Sequence, residues 1–223
     1  MSVLGHRLRA YVRPSGFDPL SISGLQFWID SDDASTFTYS SGTEVSQWND
    51  KSGNARHVSQ ANASLQPSRS TTRNSLSTVA FVDANGDILS TASVTITQPM
   101  TIFGVIRYTN VNTGAHTIIS GSGLSIYTNL DLWKMYGGAE INAGSDDANW
   151  HYMTWVANGA SSSIRKDGVT GVSGNAGTGG FASPIDIGAD WDGDMAEMLI
   201  YNTALGTTDR DAVESYLATK WGF

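Results

Sequence analysis

The sequence predicts an all-β sandwich closed by one C-terminal helix. Short runs rich in Val, Ile, Phe, Tyr and Trp alternate with Gly, Ser, Thr, Asn and Asp along all 223 residues. Turn signals therefore recur about every 8–12 residues, the rhythm of a sandwich. Apolar residues recur at helical spacing convincingly only once, near the end. A chain of this length buries roughly 70% of the surface its unfolded form exposes, so it needs no staples. It has no cysteine, which excludes disulfides and thiolate metal sites.

Taken in order, the first strand is Leu25–Asp30, opening just after Gly24. Val79–Val82 ends at an Asp-Ala-Asn-Gly turn, and Met100–Arg107 follows Pro99. Leu130–Tyr136 and Trp150–Val156 alternate with period 2, as half-buried strands do. Ser163–Lys166 runs into Asp167-Gly168 and Val169, a hairpin signal. Ile185–Gly188 precedes a last long strand, Met195–Tyr201, and the Gly-rich run from Gly174 to Gly180 reads as a flexible loop. In the helix, Thr208 is placed to cap, with Asp209 and Asp211 in the first turn, where the dipole favours acids. Val213, Leu217 and Trp221 recur at i, i+4 and i+8 with Tyr216 beside them, and Gly222 is placed to stop the helix.

The formal net charge is −8. Up to Phe17 there are three Arg and no acid, giving +3, and the remaining 10 basic and 21 acidic residues leave −11. An acidic body argues against nucleic acid, whose phosphates it would repel. No run reaches the length of a transmembrane helix, and Met1–Ser15 holds no apolar run of a secretory signal, so the expectation is cytoplasmic synthesis. The basic arm, residues 1–22, also carries Val3, Leu4, Leu8, Tyr11 and Val12, more apolar surface than a solvated tail needs. It is expected to dock on a neighbouring subunit through Arg7, Arg9, Tyr11 and Arg13, with residues 23–223 forming the sandwich.

Five segments together resemble a known family: Gly24-Leu25-Gln26-Phe27-Trp28-Ile29-Asp30, Trp48-Asn49-Asp50-Lys51-Ser52-Gly53-Asn54, Asp167-Gly168-Val169, Gly193–Tyr201 and Val213–Gly222. Their order and spacing are similar to the concanavalin A-like, laminin-G-like jelly roll of bacterial and phage proteins. The resemblance covers roughly residues 23–223 and implies two antiparallel sheets of about six to seven strands each. It also implies a carbohydrate- or protein-binding module, with bacteriophage virion proteins among the members.

Asp192-Gly193-Asp194-Met195-Ala196-Glu197 has the form D-x-D-x-x-E. Some glucanases of this fold carry E-x-D-x-x-E there, and retaining chemistry needs two carboxyls about 5–5.5 Å apart with one raised pKa. Here the first position is Asp, in a Gly/Asp-rich turn, and Glu197 fits the non-catalytic family pattern, so no catalytic residue is assigned. Asp186, Asp190, Asp192 and Asp194 have two readings: a calcium site, of the kind laminin-G-like domains carry at a rim, or a solvated turn. Calcium is the single cofactor suggested. Asp30, Asp32 and Asp33 read as a strand end and turn. His6, His57, His116 and His151 are scattered without H-x-x-x-H spacing, which argues against zinc. Neither G-x-S-x-G nor a phosphate loop is present.

Of the seven Trp, Trp28, Trp155 and Trp221 read as core by periodicity. Trp133, Trp150 and Trp191 fall near strand ends or loops and are the candidates for stacking on a sugar. The expected function is a non-catalytic bacteriophage virion protein, a head decoration or tail- or fibre-associated subunit. It would bind neighbouring virion proteins or sister copies within an oligomer or larger assembly, and host surface glycans. The alternatives are a stand-alone lectin-like module and, less favoured, a glycoside hydrolase.

Overall fold

The computed structural model describes residues 16–109, 114–130, 132–145, 147–182 and 184–223. These form strands β1 (Leu25–Asp30), β2 (Phe37–Ser41), β3 (Glu44–Trp48), β4 (Val58–Ser59), β5 (Ser68–Arg73), β6 (Leu76–Phe81), β7 (Leu89–Thr91), β8 (Thr95–Ile96), β9 (Met100–Tyr108) and β10 (His116–Ser120). They continue as β11 (Ser125–Asn129), β12 (Leu132–Tyr136), β13 (Glu140–Ser145), β14 (Trp150–Ala157), β15 (Ser162–Lys166), β16 (Val169–Gly174), β17 (Phe181–Ala182), β18 (Asp186–Ile187) and β19 (Gly193–Tyr201), followed by helix α1 (Thr207–Trp221). The protein is mostly β, as the turn spacing predicts, and the Asp167-Gly168 hairpin forms between β15 and β16.

The strands pair antiparallel, in one continuous sheet except for β8 and β17, which pair with each other apart from it. One half runs β16–β15–β14–β9–β19, and β19 carries β6 along its first residues and β1 along its last. The other half runs β13–β12–β11–β10–β18–β7–β4–β3, with β2 on the outer side of β3. β5 pairs with β6 in the first half and, through Glu44 opposite Ser68, with β3 in the second. The expectation of two separate sheets is therefore corrected: 17 strands form one hydrogen-bonded sheet that curls back on itself. Its ends, β13 and β16, come within van der Waals reach, since a Cβ added at Gly171 would lie 3.0 Å from that of Ala143. The result is a nearly closed, barrel-like sheet.

Two cores follow from the period-2 alternation of the strands. Phe27, Ile29, Ile102, Trp155, Met198 and Ile200 point inward, into the space the sheet encloses. Phe103, Val105, Leu199 and Tyr201 point outward and are covered by Val213, Leu217 and Trp221 of α1. Phe17 packs on Tyr216, the Tyr201 hydroxyl donates to the Pro19 carbonyl at 3.0 Å, and Ile22 joins the outer core. The described end of the expected arm thus packs on the outer core; Arg7, Arg9, Tyr11 and Arg13 lie outside the described residues.

Two local expectations are corrected. α1 starts two residues early, with Gly206 rather than Thr208 at the cap position, because the Gly206 carbonyl accepts the Arg210 N–H, and no side chain caps it. The glycine run from 174 to 180 is a close-packed crossing rather than a flexible loop. A Cβ at Gly177 would lie 2.2 Å from the Gly137 carbonyl oxygen, and one at Gly179 would lie 1.9 Å from that of Gly123.

Because α1 covers the outer core, Leu217→Ala should cost about 2–5 kcal/mol and Trp221→Ala about 3–5 kcal/mol of stability. Chemical denaturation measures both; midpoints equal to the parent's would mean that the helix is not packed as described.

Candidate functional site

The D-x-D-x-x-E segment owes its geometry to a β-bulge. The register of β19 shifts between Met195 and Glu197, and such a shift changes which face later side chains take. Asp194 stands opposite Arg107 and Glu197 opposite Asp30. Each carboxylate has its own partners. Asp194 accepts from Arg107 Nε at 2.8 Å and from Thr71 Oγ1 at 2.7 Å, with a second contact to Arg107 Nη2. Asp192 Oδ1 accepts the Asp83 N–H at 2.9 Å.

Glu197 is fully buried and saturated. Its Oε1 accepts from Trp28 Nε1 and the Tyr216 hydroxyl, each at 2.8 Å. Its Oε2 accepts from Trp221 Nε1 and Lys220 Nζ, each at 2.8 Å. Lys220 also donates to Asp30 Oδ1 at 2.6 Å, and Lys51 pairs with Asp30 and Asp33 at 2.9 Å each. Burial pushes Glu197 up, while for Asp30 the two lysines overcome burial and hold it below its usual range. A group with every lone pair engaged and no exposed surface offers nothing to a substrate. The helix is tied to the sheet a second time by Glu214, which accepts from Arg165 Nε and Thr154 Oγ1 at 2.8 Å each.

The tryptophan expectations are corrected in two of three cases. Trp133 and Trp191 lie in the inner core, 1% and 0% exposed, because the alternation of β12 turns Trp133 inward and Trp191 packs against Phe81 and Gly193. Trp150 is half-buried with the Arg107 guanidinium 5.5 Å from its ring. The four aspartates read as a calcium site or a turn do not converge on one point. Asp186 accepts from Ser90, the Asp190 carbonyl bonds His116, and Asp192 and Asp194 are engaged as above. Among the described residues no three His, Asp or Glu gather closely enough to hold an ion.

What the structure does bring together is a face that the tryptophan search passed over. β10, β11, β12 and β13 bury every second residue, including Ile126, Met135 and Ile141, and turn the alternate ones outward, away from α1. Ala115, Thr117, Ser125, Tyr127, Tyr136 and Glu140 line an open depression of about 460 Å³ there. Tyr136 is opposite Glu140 and diagonal to Tyr127, which is opposite Lys134. The Tyr127 hydroxyl donates to Glu140 Oε2, and Lys134 Nζ donates to Oε1 at 2.9 Å. These bonds hold Glu140 below the carboxylate range, while burial and the adjacent carboxylate push the Tyr127 phenol up. The face thus offers two rings and a fixed carboxylate, able to stack on a sugar ring and accept from its hydroxyls. The period-2 pattern of Leu132–Tyr136 was the available signal: with Trp133 and Met135 inward, Lys134 and Tyr136 must face out.

No family model and no curated protein matches the sequence. Solved structures do match in fold. Trypanosoma rangeli sialidase in complex with sialic acid aligns with a TM-score of 0.59 at 13% identity, over 89% of this chain and 33% of the sialidase. The binding domain of botulinum neurotoxin serotype D/C aligns with a TM-score of 0.63 at 13% identity, over 90% of this chain and 53% of that one. A botulinum neurotoxin type C structure, from work linking cell entry to interaction with two ganglioside molecules, gives 0.63 and 14% over 87% and 51%. This chain therefore spans between a third and about half of those proteins.

Two outcomes follow. Lys220→Met leaves Glu197 without its cationic partner, opposite an Asp30 that keeps Lys51 alone, and should cost about 3–5 kcal/mol by chemical denaturation. Asp87 is buried with Oδ1 unpartnered among the described residues, and burial pushes it up to about 6. A raised carboxylate contributes stability that is present below its unfolded value and lost as pH rises through about 6. Asp87→Asn should therefore stabilise the domain at pH above 7 by about 1–3 kcal/mol and lose that advantage below pH about 4. Equal effects at both pH values would contradict this assignment.

Proposed function

We propose that this domain is a non-catalytic glycan-binding module that takes its ligand on the outward face of β10–β13. The observation that carries the proposal is the open depression flanked by Tyr127, Tyr136 and the fixed Glu140 carboxylate, on the part of the sheet that α1 leaves uncovered. The pyranose ring would stack on a tyrosine and its hydroxyls would meet Glu140 and Thr117. The fold neighbours support this reading, since they include a sialidase bound to sialic acid and a neurotoxin whose cell entry depends on gangliosides. The saturation of Glu197 and the pairing of Asp194 support binding without hydrolysis. We read the curled sheet as a jelly roll whose halves stay joined through β3 and β5. The sequence resemblance to phage proteins supplies a setting: a virion accessory subunit that presents this face to host surface glycans.

A glycan array carrying neutral and sialylated oligosaccharides tests the reading. A reproducible set of ligands is expected, with Tyr136→Ala weakening the best of them about tenfold, the equivalent of roughly 1.4 kcal/mol. Melting should be unaffected, because Tyr136 is exposed. An array without ligands, or ligands indifferent to Tyr136→Ala and Glu140→Gln, would sink the proposal.

A further inference from the structure

His151, the second residue of β14, is 6% exposed and has a carboxylate on each ring nitrogen. Nδ1 lies 2.7 Å from Asp167 Oδ2 and Nε2 lies 2.9 Å from Asp147 Oδ1. Asp147 belongs to the β13–β14 loop and Asp167 to the two-residue turn between β15 and β16. An ionised carboxylate can only accept, and a neutral imidazole has one N–H and one lone pair. A neutral ring would therefore satisfy one of these contacts and turn its lone pair on the other. We infer that His151 is held as an imidazolium latching the β13–β14 loop to the β15–β16 turn, and that the latch opens when the proton leaves.

The surroundings fit a two-position device. Asp147 Oδ1 also accepts the Asn149 N–H at 2.8 Å, so the loop folds around the carboxylate that His151 grips. Asp167 Oδ1 accepts the Tyr152 N–H at 3.2 Å, and Asp167 sits at φ 51° with Gly168 at 77°, the tight Asp-Gly turn that presents this carboxylate to the ring. Among the described residues, besides the two aspartates, Lys166 of β15 lies 3.7 Å from Asp147, and from β12 Trp133 meets the ring edge-on at 6.1 Å. Beyond the turn, Arg165 donates to the Gly168 carbonyl at 2.5 Å and anchors the far side to Glu214.

Burial alone would push His151 down; the hydrogen bonds to Asp167 and Asp147 more than offset it and leave it above the ordinary histidine value. The latch is thus complete below about pH 6.5 and is lost as pH rises through the closed-state value. Between those limits opening releases one proton, so the opening constant grows by up to about tenfold per pH unit and then levels off. The latch is independent of the glycan reading: it sits past the Ser145 end of β13, whereas the depression lies at the Glu140 end.

Nitrogen-15 NMR of the His151 ring in the unmodified protein tests the charge state directly, and hydrogen exchange of residues 147–149 and 167–168 tests the latch. Two ring N–H groups are expected at pH 6, with titration above the ordinary value, and Asp147→Asn or Asp167→Asn should each lower it. After correction for intrinsic exchange rates, opening of both segments should rise with pH in the parent and be flat in His151→Gln. A ring that is a neutral tautomer at pH 6, a titration at or below about 6.5, or opening that ignores pH in the parent would overturn the inference.

Discussion

Asp30 and Glu197 stand directly opposite each other on neighbouring strands, and like charges so placed repel. Everything about the outer side of the sheet answers to that pair. Lys220 reaches down from α1 to bridge both, Lys51 balances Asp30 from the side, and three aromatic groups, Trp28, Tyr216 and Trp221, aim their donors at Glu197. Apolar burial under Val213 and Leu217 supplies adhesion but no direction. The bridge adds direction, because only one placement of the helix puts Lys220 between the two acids. Replacing a buried ion pair with apolar groups often leaves stability unchanged, so positioning is the better account of why it is kept here.

The same arrangement divides the surface. The half of the sheet that α1 covers is filled by the helix and its buried charges. Among the described residues the half formed by β10–β13 has no such cover, and most of its outward residues, Tyr127, Lys134, Tyr136 and Glu140 among them, are polar or aromatic. An acid pair spent on docking a helix and an acid fixed between a tyrosine and a lysine on an open face are different uses of one residue type. What separates them is whether donors come from a covering element, as at Glu197, or from neighbouring strands, as at Glu140.

Much of the fold was legible. Alternation located β12 and β14, short apolar runs located β1, β9 and β19, and the Asp-Gly turn located a hairpin, because these signals are local. The helical stripe Val213, Leu217 and Trp221 is buried as its spacing predicts. The partners of charged residues were not legible. Lys220 read as a last-turn cation and Asp30 as a strand end, and nothing in the chain brings them together until β1 and α1 are packed. Trp133 and Trp191 misled for a related reason: proximity to a strand end says little about exposure when the sheet curls over it. Tyr136 was passed over because the search weighted tryptophan, although its own strand's alternation turns it outward.

Asp30 and Lys220 are 190 residues apart, and the bond between them joins the first strand to the only α-helix among the described residues. That separation has a consequence for the order of assembly. β19 can pair with β9 and β6 before the helix is in place, but Asp30 and Glu197 then face one another with only Lys51, on Asp30, to offset them. The pairing of β1 should therefore be weaker until the helix arrives. Contacts of such sequence separation close slowly, so the rate-limiting search should be this final closure rather than formation of the hairpins. A chain halted short of Lys220 would carry a formed but unlocked sheet, with Trp28 and its neighbours on the outer core still open to other molecules.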